Sequence, residues 1–350
     1  MKALVFEGYQ SVSYQDVPDP GLVQSGDAIV QIERTAICGS DLHFYHNQGY
    51  QGPAFTIGHE CLGQVVDIGA GVERFSKGDR VLVSCTVGCG HCAICSDGLY
   101  SGCETHASIG PATNVFGSPL LPGGQAEAIR VPAADINLFH IPDAVEDEQI
   151  LFLSDILPTG YMGAELADVR PGDTVVVIGC GPVGVFAQQA AKIRGAATVI
   201  AVDLDGGRLK KAAARGCRPL NPLQEDLNEV ARDVTHGRGA DCAIEAVGRE
   251  QTVLDALGVV RRGGRVAVIG VVTSDVTLNF MSQIMARGIT LRSAIVSPQV
   301  YFPKLLPLIE QGRLDPTEII THRLSLSDGP RGYEIFDRHE EDVLKVVMTP

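Results

Sequence analysis

The chain contains no tryptophan, and aromatic residues make up only 5% of it. Positive charge is also scarce. Lys and Arg number 28 against 42 Asp and Glu, a formal charge of -14 that repels phosphate backbones and argues against nucleic acid as a partner. No apolar run approaches the ~20 residues needed to cross a bilayer, so no membrane role is expected. The opening MKALVFEG lacks a charged leader with an apolar core, and a cytoplasmic protein is expected. Ten cysteines without an export signal read as metal ligands or buried thiols, not as disulfides.

What the chain does have is length, glycine and a change of pattern partway along. Its 350 residues with 40 glycines suggest about two globular, turn-rich domains. Residues 1 to about 150 carry short β-type runs such as KALVFE, AIVQIER and RVLVS, divided by PDPGL, QSGD and SKGD turns, which predicts a compact, barrel-like β domain. From Asp173 onward strands alternate with helices. TVVVIG, TVIAVD, DCAIEAVG, GGRVAVIGVV and GITLRSAI are interleaved with helical stretches, predicting a doubly wound parallel sheet of about six strands.

Three clusters carry chemistry. Between Ala36 and Glu60 lie a thiol, Cys38, an imidazole, His59, the carboxylate of Glu60, and the polar Ser40 and His43. Mixed N and S donors suit zinc, and a catalytic zinc keeps three protein ligands and an open position. A buried thiol and a hydrogen-bonded core histidine are the ordinary alternative. Cys89, Cys92, Cys95 and Cys103 follow C-x2-C-x2-C-x7-C, the pattern of a closed tetrahedral zinc site, with an iron–sulfur cluster as the rival. In the third cluster, Gly179, Gly181, Pro182, Val183 and Gly184 join a buried strand to a helix, and Asp203 follows Gly184 by 19 positions. Such glycines let the backbone approach a pyrophosphate at the helix N-terminus, while the acid accepts ribose hydroxyls and repels a 2'-phosphate, favouring NAD over NADP. Arg208 nearby reads as a solvated helix residue or a lid over the adenine. Asp155, in the apolar run LFLSDIL, must be paired, protonated or metal-bound if buried, or else caps a helix.

Taken together and in this order, the motifs Cys38 to His43, Gly58-His59-Glu60, the four-cysteine loop, Gly179 to Gly184 and Asp203 resemble the zinc-dependent medium-chain alcohol dehydrogenases over nearly the whole chain. The resemblance implies an α/β protein: a GroES-like β-barrel catalytic domain at 1–156, a Rossmann NAD-binding domain at 157–294, and a return to the catalytic domain at 295–350. It implies two zinc ions. One is catalytic, on Cys38, His59 and Asp155, where many members have Cys or Glu in place of the aspartate; the other is structural, on the four loop cysteines. LSDILPTGYMGAE is similar to the glutathione-independent formaldehyde dehydrogenase branch.

By the same resemblance Ser40 and His43 carry a proton outward, Glu60 stands behind the zinc or occasionally ligates it, and Lys345 meets the pyrophosphate. The implied reaction is reversible hydride transfer between a primary or secondary alcohol and NAD, in a homo-oligomer, dimer or tetramer. Cys85, Tyr45, Phe55 and Ile295 are candidate pocket residues. A polyol, sugar-acid or formaldehyde-type dehydrogenase and a non-catalytic nucleotide-binding protein are the alternatives.

Overall fold

The computed structural model describes residues 1–106 and 114–350. It divides into two units, Met1–Pro158 with Val296–Pro350, and Thr159–Ile295.

The first unit is built mainly from β-structure. Its larger sheet runs in the order His322–Ser325, Val346–Thr349, Ala28–Ile37, Glu60–Ile68, Arg80–Val83 and Leu138–His140, with Ala128–Val131 also paired to Ala28–Ile37. Ala28–Ile37 is therefore a hub: Glu60–Ile68 lies antiparallel on one side and the C-terminal Val346–Thr349 antiparallel on the other. Its Ala28, Val30 and Ile32 alternate into a core with Val65, Val81, Val83 and Phe116, as period-two side-chain placement requires. A smaller sheet of Ser11–Asp16, Lys2–Gly8 and Phe55–Thr56 covers a second core. Tyr45 and Phe55, read from sequence as pocket residues, belong to that core. Phe55 packs against Phe6, Phe44 and Tyr50, and Tyr45 stacks on Tyr333 at 5.6 Å between ring centres.

In the second unit six strands lie in the order Arg218–Leu220, Thr198–Val202, Thr174–Ile178, Ala240–Glu245, Val260–Val268 and Thr290–Ser293. Every neighbouring pair is parallel. The order reverses between Thr174–Ile178 and Ala240–Glu245, the switch point of a Rossmann sheet. Continuous apolar runs occupy the central strands because helices Pro182–Ile193, Gly206–Ala214, Leu227–Val234 and Glu250–Val259 cross between them and hide both faces. Among the described residues, no helix is long and apolar enough to cross a membrane.

Candidate active site

The sheet hub brings the first cluster together. Ala36 pairs with Glu60, so the residues just beyond that pair, Cys38 after one strand and His59 before the other, emerge side by side at the end of the ladder. Gly58 makes the turn into His59 with φ of +96°, and a Cβ there would lie 2.3 Å from Gln125, so only glycine fits without displacing that side chain. Asp155 follows the 3-10 turn Leu151–Ser154, which the amide of Cys85 holds by donating to the Ser154 carbonyl at 3.0 Å.

In the resulting cluster the donor atoms of Cys38, His59, Glu60 and Asp155 all lie within 4.8 Å of one another. His59 Nε2 is 3.2 Å from Asp155 Oδ2, and Cys38 Sγ is 3.6 Å from the same oxygen. Around a tetrahedral zinc with ordinary bond lengths these edges would be about 3.4 Å and about 3.6 Å. The donor set therefore fits zinc in both chemistry and span. His59 Nδ1 faces the buried Asp41 carboxylate at 3.3 Å, which leaves Nε2 to point at Cys38 and Asp155. Asp41 is itself held by the Cys38 amide at 3.0 Å and by Gln125 Nε2 at 3.1 Å, and Tyr333 donates to Gln125 Oε1 at 2.8 Å. The hydroxyl of Ser40 lies 3.2 Å from Cys38 Sγ and 3.1 Å from His59 Nε2.

Electrostatics follow from burial and crowded charge. Burial opposes a charged His59, yet Asp41, Cys38 and Asp155 together hold its pKa well above the ordinary imidazole value. Burial pushes the Cys38 thiol up, and Glu60 adds to the effect. The surroundings of His43 and the neighbouring His46 lower its pKa, with Asp41 partly offsetting them.

The four loop cysteines form a second cluster, also with sulfur atoms within 4.8 Å. Cys89 and Cys95 sulfurs are 4.0 Å apart, near the edge of about 3.8 Å expected of tetrahedral zinc thiolates. Backbone amides point inward: Cys89 N to Cys103 Sγ at 3.3 Å, Cys92 N to Cys89 Sγ at 3.4 Å and Cys95 N to Cys92 Sγ at 3.4 Å. Burial opposes the Cys89 thiolate, but donors from Thr105 and the amides of His91 and Cys92 bring its pKa down. None of the ten cysteines forms a disulfide.

In the second unit Gly179 adopts φ of +99° at the end of its strand, and Pro182 opens the helix Pro182–Ile193. A Cβ on Gly184 would lie 2.0 Å from the Gly179 carbonyl, so the helix packs on the strand only because that position is glycine. A Cβ on Gly181 would meet nothing closer than Arg208 at 3.9 Å, leaving an open backbone turn that a pyrophosphate can approach. Asp203 accepts from the Cys180 amide at 2.7 Å and from the Asp205 amide at 2.9 Å. Each carboxylate oxygen has further acceptor capacity for ribose hydroxyls. The Arg208 amide is capped by Asp205 at 2.8 Å, placing Arg208 in the first turn of the next helix.

Residues 24–143 match the family model for the alcohol dehydrogenase GroES-like domain, and residues 182–311 match that for zinc-binding dehydrogenases. The chain is 36% identical over 381 residues to a zinc-type alcohol dehydrogenase-like protein of Bacillus subtilis, covering 100% of both. It is 39% identical to a probable zinc-binding alcohol dehydrogenase of Mycobacterium tuberculosis, covering 100% of this chain and 89% of the other. This chain belongs to the zinc-dependent medium-chain alcohol dehydrogenases. Its structure resembles that of an alcohol dehydrogenase from Thermus sp. ATN1 with a TM-score of 0.91 and 37% identity, over 100% of this chain and 99% of that one.

Within this alcohol dehydrogenase, one expectation from sequence is overturned. Lys345 does not present its ammonium to a pyrophosphate. It is fully buried, and its Nζ lies 2.5 Å from Glu60 Oε2. The cause is the sheet: Val346 pairs with Ile37, so Lys345 arrives opposite Cys38 and on the same face as Ala36 and Glu60. Cys85 is buried, its amide bonded to the Ser154 carbonyl next to Asp155, and is not one of the four clustered donors. Ile295 is exposed at the end of the second unit. Sequence reasoning assigned nothing to Asp41, although a carboxylate three residues after Cys38 in the same motif was a readable signal. Gln125 and Tyr333 carried no signal, because only the fold brings them to Asp41.

Proposed function

We propose that this dehydrogenase binds two zinc ions, prefers NAD to NADP, and oxidises small or medium primary and secondary alcohols to aldehydes and ketones, reversibly. The observation that carries the reading is the cluster of Cys38, His59 and Asp155, with Asp41 on the far nitrogen of the imidazole. Bound zinc there would supply Lewis acidity toward the alcohol oxygen, and a nicotinamide would supply the hydride acceptor.

The chain's own residues have separate tasks. Cys38 and Asp155 contribute two negative charges and His59 a neutral donor, matching a divalent ion. Ser40 receives the proton of the substrate hydroxyl, standing beside both Cys38 and His59. His43, three residues on and exposed, exchanges that proton with solvent, and its lowered pKa keeps the ring neutral and able to accept near neutral pH. The loop cysteines hold a closed metal that performs no chemistry. Asp203 supports NAD because its charge opposes a 2'-phosphate.

The edge strand Thr290–Ser293 is exposed along its length, and Phe280, Met281, Met285 and Ile295 are exposed near it in sequence. An unpaired edge beside apolar side chains supports a homo-oligomer formed through the nucleotide-binding units. The ten free thiols support a reducing, cytoplasmic setting.

The test combines a zinc count, light scattering for oligomeric state, and an alcohol panel with NAD and NADP, followed by the absorbance of the reduced nicotinamide. Two zincs per chain and turnover with higher kcat/KM for NAD are expected. Absence of reduced cofactor from every alcohol, with the reverse reaction also silent, overturns the reading.

A further inference from the structure

Resting on the reading of Cys38, His59 and Asp155 as the catalytic zinc site, we propose that Lys345 keeps Glu60 off the metal, preserving the open position that substrate needs.

Glu60 is a full member of the donor cluster by distance. Carboxylates are good zinc ligands, and a fourth protein ligand would close the site into the structural type. Something must therefore compete for Glu60. Lys345 does so from the residue before the strand Val346–Thr349, on the far side of Ala28–Ile37: Nζ and Oε2 are 2.5 Å apart, and both side chains have 0% exposure. The pairing registers explain why these two meet. Val346 pairs with Ile37, so continuing the ladder by one residue sets Lys345 opposite Cys38; Glu60 lies opposite Ala36, and all four fall on one face, so the two long side chains join across the small Ala36.

The ammonium is not free to wander. The backbone of Lys345 is pinned at Thr321 and His322: its carbonyl accepts from the Thr321 amide at 3.0 Å, the His322 amide at 3.1 Å and the Thr321 hydroxyl at 3.1 Å. Its amide and that of Leu344 donate to the same hydroxyl at 3.2 Å and 2.9 Å. On its other side the ammonium lies 5.5 Å from the centre of the Phe152 ring. Glu60 is its one carboxylate partner among the described residues.

Charge counting points the same way. With Cys38, Asp155 and Glu60 ionised and His59 neutral, a divalent ion leaves one negative charge in a buried space, and Lys345 cancels it. An uncompensated buried charge is costly, so removing Lys345 drives Glu60 toward the metal. Lys345 is thus a positioning residue.

The experiment uses cobalt in place of the catalytic zinc, whose visible spectrum reports coordination, with imidazole as the probe of the open position and chelator competition for zinc affinity. The wild-type spectrum should shift with imidazole. Lys345→Met should bind zinc more tightly, by roughly tenfold or more, and its spectrum should no longer respond to imidazole. Lys345→Met with Glu60→Gln should recover the response, as should Lys345→Arg alone. Glu60→Gln alone, which does not depend on the folding of the lysine variant, should keep the wild-type cobalt spectrum and its shift with imidazole; a changed spectrum before imidazole is added would mean that Glu60 already ligates and would overturn the proposal. An imidazole-sensitive Lys345→Met with wild-type zinc affinity would overturn it too. Wild-type protein that takes up metal only on the loop cysteines would instead overturn the reading of the site itself.

Discussion

The Asp41 carboxylate lies 3.3 Å from Nδ1 of His59, with the two side chains only 2% and 7% exposed. An imidazole held this way has one orientation, with Nε2 aimed at Cys38 and Asp155, and its basicity toward a metal is raised. Replacing Asp41 by Asn keeps the size and removes the charge. Zinc affinity at the catalytic site should fall by about 10-fold to 100-fold, measured by chelator competition, while the four-cysteine site keeps its metal. Unchanged affinity would remove Asp41 from the site.

Zinc uptake should depend steeply on pH. In the metal-free chain the raised pKa values of Cys38 and His59 mean that both carry protons near neutrality. A ligand must shed its proton to bind, so lower pH favours the proton-loaded, metal-free state and higher pH favours zinc. The logarithm of apparent affinity should rise with pH with a slope approaching ~2 while both groups are protonated. Competition titrations across pH check the slope, and a flat profile would contradict the shifts.

Ser40→Ala should lower turnover by roughly 100-fold while NAD affinity stays within about twofold, because the hydroxyl sits beside Cys38 and His59, in the other unit from the glycine turn. Steady-state kinetics and cofactor titration separate the two. Parallel losses in both would place Ser40 in cofactor binding.

Two glycines of one turn should respond differently to alanine. At Gly184 the new methyl would collide with the Gly179 carbonyl, a backbone atom that cannot move aside, and the variant should lose roughly 1–3 kcal/mol in denaturant unfolding. Gly181 faces open space at an ordinary φ of -66°, so its alanine variant should keep its stability and lose nucleotide affinity through obstruction of the pyrophosphate. Equal stability of the two variants would contradict this packing.

Much of the architecture was legible because it is written in local periodicity. The central Rossmann strands are apolar throughout, the helices between them are bounded by glycine and capped by Asp205 and Asp226, and the five strands named from sequence are seen at their expected places, while the short edge strand Arg218–Leu220 was not read. The four loop cysteines are spaced closely enough that chain geometry alone gathers them. Asp155 could be singled out because an acid amid Leu, Ile and Phe has few acceptable surroundings.

Lys345 was misread for the opposite reason. A lysine near a chain end carries no local indication of its partner, and its meeting with Glu60 is set by the antiparallel pairing of Val346–Thr349 with Ala28–Ile37. Asp41, Gln125 and Tyr333 likewise form one buried network from three distant segments. The amino-acid sequence by itself determined which elements form and which donors are available, since propensity, spacing and donor chemistry act over a few residues. Which carboxylate faces the metal cluster, which one orients His59 and which cation restrains Glu60 were decided only by tertiary structure, because strand register and burial choose the partners of charged groups that cannot remain alone.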